Sequence, residues 1–500
     1  MKKVFSILLV FTVVFSMMFG FPITASANEN SDNNKGYEIV DGAEVGKPTV
    51  KSGDYTYVPE GNTAIITKYN GKASKVTIPD TLDGLTVTTI GLGAFQNNSG
   101  LLSVIMPNSV TKISGYSFDS CWNLSEITIP DSVTFIGDFA FHWTRITSIK
   151  LPDKLTHVGT GFCSGCNLTS VTLPGGITNL GDGAFAECSN LTSVTIQKGI
   201  TNIPNEMFRD CSSLTSVTLP DSATEIGERA FQECSSLTDI TIPNNVTTIG
   251  YAAFFNCTSL KNIKLSTATT RIGDSAFYYC TSIENITLPD ALTEIGSSAF
   301  DTCTSLTSIV IPNNVKTIYG AAFSNCNNMK SITLPNKLKT LNTIIQGCTS
   351  LKSIIVPDSV KTIEGDAAGS AFDGCTGLES ITLSNNIKKI YANTFNDLTS
   401  LKSITIPKSV KYICNYAFNG CTALKSVTIL GDKVEMEGCA FNDCTGIKSL
   451  TIKGMRLAFY GAPTDSNKVV IYAPKGSGAE KLAKTYKYRF VAIAAPTAAK

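Results

Sequence analysis

Cysteine recurs through the middle of this chain at a fixed interval of 23 residues. The positions concerned are Cys188, Cys211, Cys234, Cys257, Cys280, Cys303 and Cys326. A fixed period of about 20 to 50 residues is typical of repeat arrays, in which each unit contacts only its neighbours. The 500 residues are therefore expected to form one solenoid, although that length would otherwise suggest about three domains.

The residues between two cysteines predict one strand and one return segment. Leu214, Val217 and Leu219 point inward, and the Thr and Ser residues between them point outward, which is the alternation of a half-buried strand. Pro220 ends the strand because it lacks the N–H group that a ladder needs. Phe231 then places a large ring beneath the coil.

This ring position recurs three residues before each ladder cysteine, or four before Cys166, and defines sixteen rungs. Its members are Phe95, Phe118, Phe141, Phe162, Phe185, Phe208, Phe231, Phe254, Phe277, Phe300, Phe323, Ile345, Phe372, Phe395, Phe418 and Phe441. A period in the twenties is the signature of a leucine-rich-repeat solenoid. The sequence thus predicts a right-handed superhelix that is mainly β, with a parallel sheet and about 16 rungs.

The N-terminal segment departs from the repeat. Residues 1–27 are predicted to be a signal peptide, with Lys2 and Lys3, an apolar run and the small-residue cleavage site Ala25–Ala27. The alternative is a retained membrane anchor, for which the apolar run is a little short. Residues 28–53 are polar and are predicted to be a flexible leader.

The edges of a stacked sheet must be covered, because an exposed edge aggregates. Residues 54–75 are predicted to form an N-terminal cap hairpin, and residues 76–465 the repeats. Residues 466–495 are predicted to form a small β-α-β C-terminal cap, whose helix starts at the capping box Ser477–Glu480.

The rungs resemble the BspA-like family of leucine-rich-repeat surface proteins. The resemblance covers about residues 54–493 and rests on the blocks L-x-x-[IV]-T-[IL]-P and I-G-x-x-A-F-x-x-C. The closing segments Gly476–Glu480 and Arg489–Ile493 also resemble endings seen in that family. The resemblance implies a bacterial cell surface, adhesion and binding of host or neighbouring-cell proteins. It carries over no catalytic residues, because the family shares none.

The cysteine ladder has thirteen members. They are Cys121, Cys166, Cys188, Cys211, Cys234, Cys257, Cys280, Cys303, Cys326, Cys348, Cys375, Cys421 and Cys444. Asn98, Thr144 and Leu398 replace cysteine in other rungs, so packing of small buried thiols explains the ladder better than a series of disulfides. The other cysteines are Cys163, Cys414 and Cys439. Cys163 and Cys166 predict either a local disulfide or an irregular coil.

Two outward positions change to lysine in the C-terminal rungs. One position, which is threonine from Thr178 to Thr293, becomes Lys316, Lys339, Lys361, Lys388 and Lys411. The other reads Lys330, Lys352, Glu379, Lys402, Lys425 and Lys448. Residues 1–300 hold 18 basic and 27 acidic side chains, a net charge of −9, and residues 301–500 hold 23 and 13, a net charge of +10. The lysines are either a solubility device or a surface for an anionic partner.

The only two tryptophans and the only two histidines lie close together in the sequence. Trp122 and Trp143 suggest a binding surface, because tryptophan is enriched at binding hot spots. The alternative is irregular packing where the repeats are least regular. An enzyme would need a pocket around His142, Trp143 and His157, and the chain lacks metal-ligand, nucleophile and phosphate-loop motifs.

Two hypotheses of function follow, and neither needs a cofactor. In the first, a secreted or cell-surface protein without catalytic activity presents its Ser/Thr/Lys surface for binding or adhesion. Its partner is an extracellular protein or glycan of a host, a neighbouring cell or its own envelope. In the second, a structural spacer binds an anionic wall polymer through its basic half. Neither hypothesis involves nucleic acid or a membrane span after removal of the signal peptide.

Overall fold

The computed structural model describes residues 47–365, 369–464 and 468–495. The predicted signal peptide (1–27) and most of the predicted leader lie outside these residues. Within them the chain forms a β-solenoid in which equivalent residues pair one repeat apart, as the sequence predicts.

An antiparallel hairpin covers the N-terminal edge of the solenoid. Its strands are β1 (Val50–Ser52), β2 (Tyr55–Glu60) and β3 (Thr63–Tyr69), and β3 pairs in parallel with β6 (Leu85–Ile90), against which β5 (Thr81–Leu82) folds back. β1 lies inside the segment predicted to be a flexible leader. That prediction is wrong for Val50–Ser52, because pairing with β2 satisfies its backbone.

The first parallel ladder contains the strand that the alternation of apolar residues predicts. Its middle residue faces the core and its flanking residues face solvent, as Ile240 does between Asp239 and Thr241. The strands are β4 (Lys75–Thr77), β7 (Ser103–Ile105), β9 (Glu126–Thr128), β12 (Ser170–Leu173), β14 (Ser193–Ile196), β16 (Ser216–Thr218), β18 (Asp239–Thr241), β20 (Asn262–Lys264), β23 (Ser308–Val310), β25 (Ser331–Thr333), β27 (Ser353–Ile355), β29 (Ser380–Thr382), β31 (Ser403–Ile406), β33 (Ser426–Ile429) and β35 (Ser449–Ile452).

A second parallel ladder runs along the return side of the rungs and continues from β6. The sequence did not predict it, because most of its strands have two residues and carry no alternation to recognise. The strands are β8 (Lys112–Ile113), β10 (Phe135–Ile136), β11 (His157–Val158), β13 (Asn179–Leu180), β15 (Asn202–Ile203), β17 (Glu225–Ile226), β19 (Thr248–Ile249), β21 (Arg271–Ile272), β22 (Glu294–Ile295), β24 (Thr317–Ile318), β26 (Thr340–Leu341), β28 (Thr362–Ile363), β30 (Lys389–Ile390), β32 (Tyr412–Ile413), β34 (Lys433–Glu437) and β36 (Arg456–Tyr460).

The C-terminal end closes with a strand, a helix and a strand. β37 (Val470–Pro474) continues the first ladder after β35, and β38 (Arg489–Ile493) pairs with it in parallel. Helix α1 (Gly478–Thr485) lies between them in the chain, with Ser477 as its N-cap. The Ser477 side chain accepts the N–H of Glu480, and the Glu480 carboxylate accepts the N–H of Gly476. No helix among the described residues is long and apolar enough to cross a membrane.

A column of phenylalanine rings runs through the core. Neighbouring rings lie nearly parallel, with centroids 5.1 Å apart for Phe231 and Phe254 and 5.2 Å apart for Phe254 and Phe277. These rings are fully buried. Each rung therefore covers the ring of the rung before it, so burial of a large apolar surface depends on stacking.

The rung that contains Phe162 departs from this arrangement, and its predicted alignment is wrong by one residue. The N–H of Phe141 bonds to the carbonyl of Phe162, whereas in regular rungs that acceptor belongs to the residue before the column position. The Cys188 thiol bonds to the carbonyl of Cys163, so Cys163 occupies the column. The ring of Phe162, one residue before Cys163, still packs in the core between its neighbours. It meets the rings of Phe141 and Phe185 edge-on, with interplanar angles of 87° and 82°.

The thirteen ladder thiols are buried, as the packing interpretation predicts. Each donates to a main-chain carbonyl of the preceding rung, as Cys234 Sγ does to the Phe208 carbonyl at 3.1 Å. Cys163 Sγ donates to Cys166 Sγ at 2.7 Å, and the shifted hydrogen bonds of this rung show the irregular coil expected there. Burial raises the pKa of Cys121 to about 12.

Alkaline pH is expected to unfold the protein steeply. Burial is the largest cause of a raised thiol pKa at Cys121, Cys188, Cys211, Cys234, Cys257, Cys280, Cys303, Cys326, Cys348 and Cys375. Above the ordinary pKa of 9.0, unfolded thiols lose protons that folded thiols keep. Each buried thiol therefore stabilises the folded protein fully below pH 9. Between pH 9 and its raised folded-state pKa, it lowers the free energy of unfolding by about 1.4 kcal/mol per pH unit.

Urea titrations at a series of pH values from 7 upward would measure this slope. The double variant Cys234→Ala, Cys257→Ala is expected to show a shallower decline above pH 9 than the parent. An identical slope in the two proteins would show that the buried thiols do not control alkaline stability.

Candidate functional site

The two lysine columns occupy equivalent places in the rung. Each lysine stands one residue before a ladder strand, as Lys316 does before β24 and Lys330 before β25. All ten side chains are exposed: Lys316, Lys339, Lys361, Lys388 and Lys411 flank the second ladder, and Lys330, Lys352, Lys402, Lys425 and Lys448 flank the first.

Threonine at the same place in the N-terminal rungs makes a hydrogen bond that lysine cannot make. Beside the second ladder, the Thr224 hydroxyl donates to the Thr201 carbonyl at 3.1 Å, and the Thr293 hydroxyl donates to the Thr270 carbonyl at 3.1 Å. The same carbonyls also accept the threonine N–H groups, at 2.8 and 2.9 Å. The threonine column therefore joins successive rungs twice at each step.

The column beside the first ladder follows the same rule. The Thr192 hydroxyl donates to the Thr169 carbonyl at 2.9 Å, and the Thr215 hydroxyl donates to the Thr192 carbonyl at 3.0 Å. The second-ladder column thus changes from a carbonyl-bonding hydroxyl to an exposed ammonium group. The first-ladder column makes the same change, but Lys261 and Glu284, which form an ion pair, already interrupt its threonines. The sequence revealed the lysines but not this lost bond, because the partner is a main-chain atom one repeat away.

Lysines beside the second ladder keep the main-chain bond without the side-chain bond. The Lys361 N–H donates to the Lys339 carbonyl at 2.9 Å, and the Lys411 N–H donates to the Lys388 carbonyl at 2.8 Å. Neighbouring lysines therefore sit on hydrogen-bonded strands, about 4.8 Å apart at the backbone. Like charges at that spacing repel, and salt screens them.

The two columns differ in how far carboxylates neutralise them. Beside the first ladder, Glu379 forms ion pairs with Lys402 and Lys352, and these contacts lower its pKa. Within the described residues, the five lysines beside the second ladder have no carboxylate oxygen within 4 Å. Asp432 lies near Lys411, but its pKa is lowered first by the Met455 N–H and by Arg456. The second-ladder column is therefore the more open to an anionic ligand.

The tryptophans meet on the loop side of the N-terminal rungs. Trp122 and Trp143 are 49% and 41% exposed, and their ring centroids are 5.0 Å apart. His142 stacks on Trp143 at 4.7 Å, and its Nδ1 forms a hydrogen bond of 2.8 Å with Asp119 Oδ1. Asp119 also accepts from Gln96 Nε2 at 2.8 Å.

Two further aromatic residues join this cluster and were missed from the sequence. Phe139 meets His142 edge-on at 5.3 Å and stacks with Tyr116 at 5.3 Å. Tyr116 is 39% exposed. The sequence did contain a signal for them. Tyr116 and Phe139 are 23 residues apart, at a position of the repeat that holds a small or polar residue in most rungs. We call Tyr116, Trp122, Phe139, His142 and Trp143 the aromatic platform.

The structure does not bring the two histidines together as one site. His157 stacks on Phe135 at 4.1 Å beside the second ladder, whereas His142 belongs to the aromatic platform. Burial lowers the pKa of His157. The part of the chain that the structure describes contains no group of three or more His, Cys, Asp or Glu side chains arranged to hold a metal ion.

The repeat pattern and the architecture together identify the family of the chain. Its sequence matches the BspA type leucine rich repeat region over residues 68–192, 178–300, 253–368 and 346–459. The chain belongs to the BspA-type leucine-rich-repeat family. No curated protein matches it significantly.

Solved structures of bacterial leucine-rich-repeat proteins are similar to the chain. A leucine-rich repeat protein from Bacteroides ovatus has 25% sequence identity and a TM-score of 0.54, and the match covers 89% of this chain and 100% of that one. A leucine rich cell surface protein from Faecalibacterium prausnitzii has 29% identity and a TM-score of 0.42, with coverage of 77% and 95%.

Replacing a column lysine by threonine is expected to stabilise the solenoid. In Lys411→Thr, the new hydroxyl can donate to the Lys388 carbonyl, and one repulsive charge is removed. The free energy of unfolding is expected to rise by about 0.5–1.5 kcal/mol, the usual net contribution of a hydrogen bond. Urea denaturation of Lys411→Thr and of the same-rung control Lys408→Thr would measure the difference. A gain no larger than that of the control would contradict the hydroxyl argument.

Proposed function

We propose that this protein is a secreted or cell-surface binding protein, without catalytic activity, that holds an anionic extracellular partner on its lysine columns. The partner is an acidic protein or a negatively charged glycan of a host, a neighbouring cell or the envelope. The second-ladder lysines, Lys316, Lys339, Lys361, Lys388 and Lys411, supply the main contacts, and those beside the first ladder extend them.

One observation carries this proposal. The lysines replace threonines whose hydroxyl groups join the rungs, so the C-terminal half gives up hydrogen bonds in exchange for exposed positive charge. A solubility role does not require those particular positions, because other exposed sites in the rung leave the threonine bonds intact. Unneutralised charge in a row attracts a chain of anions and raises its rate of association.

Export is the second part of the proposal and rests on the sequence. Residues 1–27 have the basic start, apolar run and cleavage site of a signal peptide. An exported repeat protein meets anionic polymers and acidic proteins directly.

The alternative function is a structural one. In that case the same lysines fasten the protein to an anionic polymer of its own cell wall, and the solenoid acts as a spacer. The net charges of the two halves, −9 and +10, favour this structural role as much as they favour adhesion. An anionic wall would attract the positive half, residues 301–500, and repel the negative half.

Removal of the second-ladder lysines is expected to abolish binding to polyanions. The variant Lys316, Lys339, Lys361, Lys388 and Lys411→Thr should lose about 1 kcal/mol of binding free energy per lysine. Retention on heparin, polyphosphate and purified teichoic acid would be measured against salt concentration. The matched control replaces five exposed lysines outside the columns: Lys337, Lys408, Lys453, Lys468 and Lys475→Thr.

The two functions differ in their partners. Salt-sensitive retention of the parent on isolated bacterial cell wall, lost in the column variant, supports the spacer. Binding to individual proteins or glycans on an array, without retention on the wall, supports adhesion. Equal loss in the column variant and the control variant would remove the proposal, because total charge rather than position would then decide binding.

A further inference from the structure

We propose that the aromatic platform is a second binding site, for a neutral glycan, separate from the lysine columns. The platform consists of Tyr116, Trp122, Phe139, His142 and Trp143, on the loop side of the N-terminal rungs. It would recognise the apolar face of hexopyranose rings. This proposal does not depend on the lysine columns, which lie beside the ladder strands of the C-terminal rungs.

Glycines allow two of the rings to lie flat. A Cβ atom at Gly165 would come within 2.2 Å of Trp143 Cδ1, and a Cβ atom at Gly161 would come within 2.3 Å of Phe139 Cε1. Both glycines also have positive φ, 68° and 57°. Each ring therefore lies against the backbone of the next rung, and it can lie there because that rung carries no side chain at that point.

Contacts within the platform fix the orientation of the rings before any ligand arrives. Trp143 contacts Trp122, with ring centroids 5.0 Å apart, and His142, with ring centroids 4.7 Å apart. The His142 ring is held in turn by its bond to Asp119, which is 8% exposed and also accepts from Gln96. Preorganised rings lose little conformational freedom on binding, which lowers the entropic cost of a weak ligand.

The exposed surface suits a sugar better than an anion. A pyranose ring presents C–H groups on its face and hydroxyl groups at its edge. Here Ser120 and Asn123 stand close to Trp122 in the chain and carry uncharged hydroxyl and amide groups. The nearby carboxylate of Asp119 is already bonded to His142 and Gln96.

The charge of this half of the chain argues in the same direction. Residues 1–300 carry a net charge of −9, which repels anionic ligands. Arg145 is an exposed cation in the same rungs. Residues 93–165 as a whole hold four basic and five acidic side chains, so the rungs of the platform carry no excess of positive charge to attract a polyanion. A hydroxyl-rich, uncharged ligand suits this surface better. The two surfaces of the solenoid would then select ligands of different chemistry.

Intrinsic fluorescence tests the proposal directly, because Trp122 and Trp143 are the only tryptophans in the chain. The full chain would be titrated with neutral hexasaccharides of glucose, mannose, galactose and N-acetylglucosamine, and with heparin as the charged comparison. We expect saturable quenching or a shift of the emission with at least one neutral hexasaccharide. The affinity should not change between about 0.05 and about 0.5 M salt, since no ion pair is involved.

Variants separate a glycan site from a structural cluster. Trp143→Ala and Gly165→Ala are expected to weaken binding by about tenfold or more, the second by displacing the Trp143 ring. Gly183→Ala is the matched control, because Gly183 has a similar φ of 60° and its nearest neighbour, Ala186, would be 3.8 Å away. Calorimetric titration would follow Trp143→Ala, which keeps one reporter tryptophan.

Each other outcome overturns the proposal. It fails if no neutral hexasaccharide changes the emission, or if heparin alone does so in a salt-dependent way. It also fails if Gly183→Ala weakens binding as much as Gly165→Ala, since backbone strain would then explain the loss. None of these results tests the proposed binding of polyanions. That proposal is tested by retention of the lysine-column variant, which changes different residues.

Discussion

Contacts between successive rungs hold the solenoid together. The main-chain carbonyl of each phenylalanine in the column takes part in several of these contacts. The Phe208 carbonyl accepts the N–H of Cys211 in its own rung, at 3.2 Å, and the thiol of Cys234 in the next, at 3.1 Å. The Phe208 ring meanwhile packs on Phe231 at 5.4 Å. No rung can bury its ring alone, and the second hydrogen bond to this carbonyl comes from the next rung, so folding of each unit depends on its neighbour.

Because the core is satisfied by these repeated contacts, the outward positions can change without changing the fold. Threonine beside the ladders strengthens the stack by bonding to the preceding rung, as Thr224 bonds to the Thr201 carbonyl. Lysine at the same place contributes charge instead, and Trp143 in the loop contributes an exposed ring. Binding sites on such a protein therefore arise as columns or patches across several rungs, and not as a pocket within one.

Most of the repeat was predictable because the apolar positions recur at a fixed interval. The strand at Val217, the buried ladder cysteines and the capping box at Ser477 are found as predicted. The alignment failed at Phe162, where Cys163 takes the column position and the ring enters from one residue earlier. A sequence pattern records residue type, whereas the register of that rung is set by hydrogen bonds to its neighbours.

The sequence by itself determined the period, the inward face of the first strand and the change from threonine to lysine, because each is a property of position along one chain. Only the tertiary structure decided which groups meet across rungs. It revealed the second ladder, the threonine bond that the lysines lack, and the contact of Trp122 with Trp143 over a surface where Gly165 leaves room for the ring. These features depend on distances between atoms one repeat apart, which residue order alone does not specify.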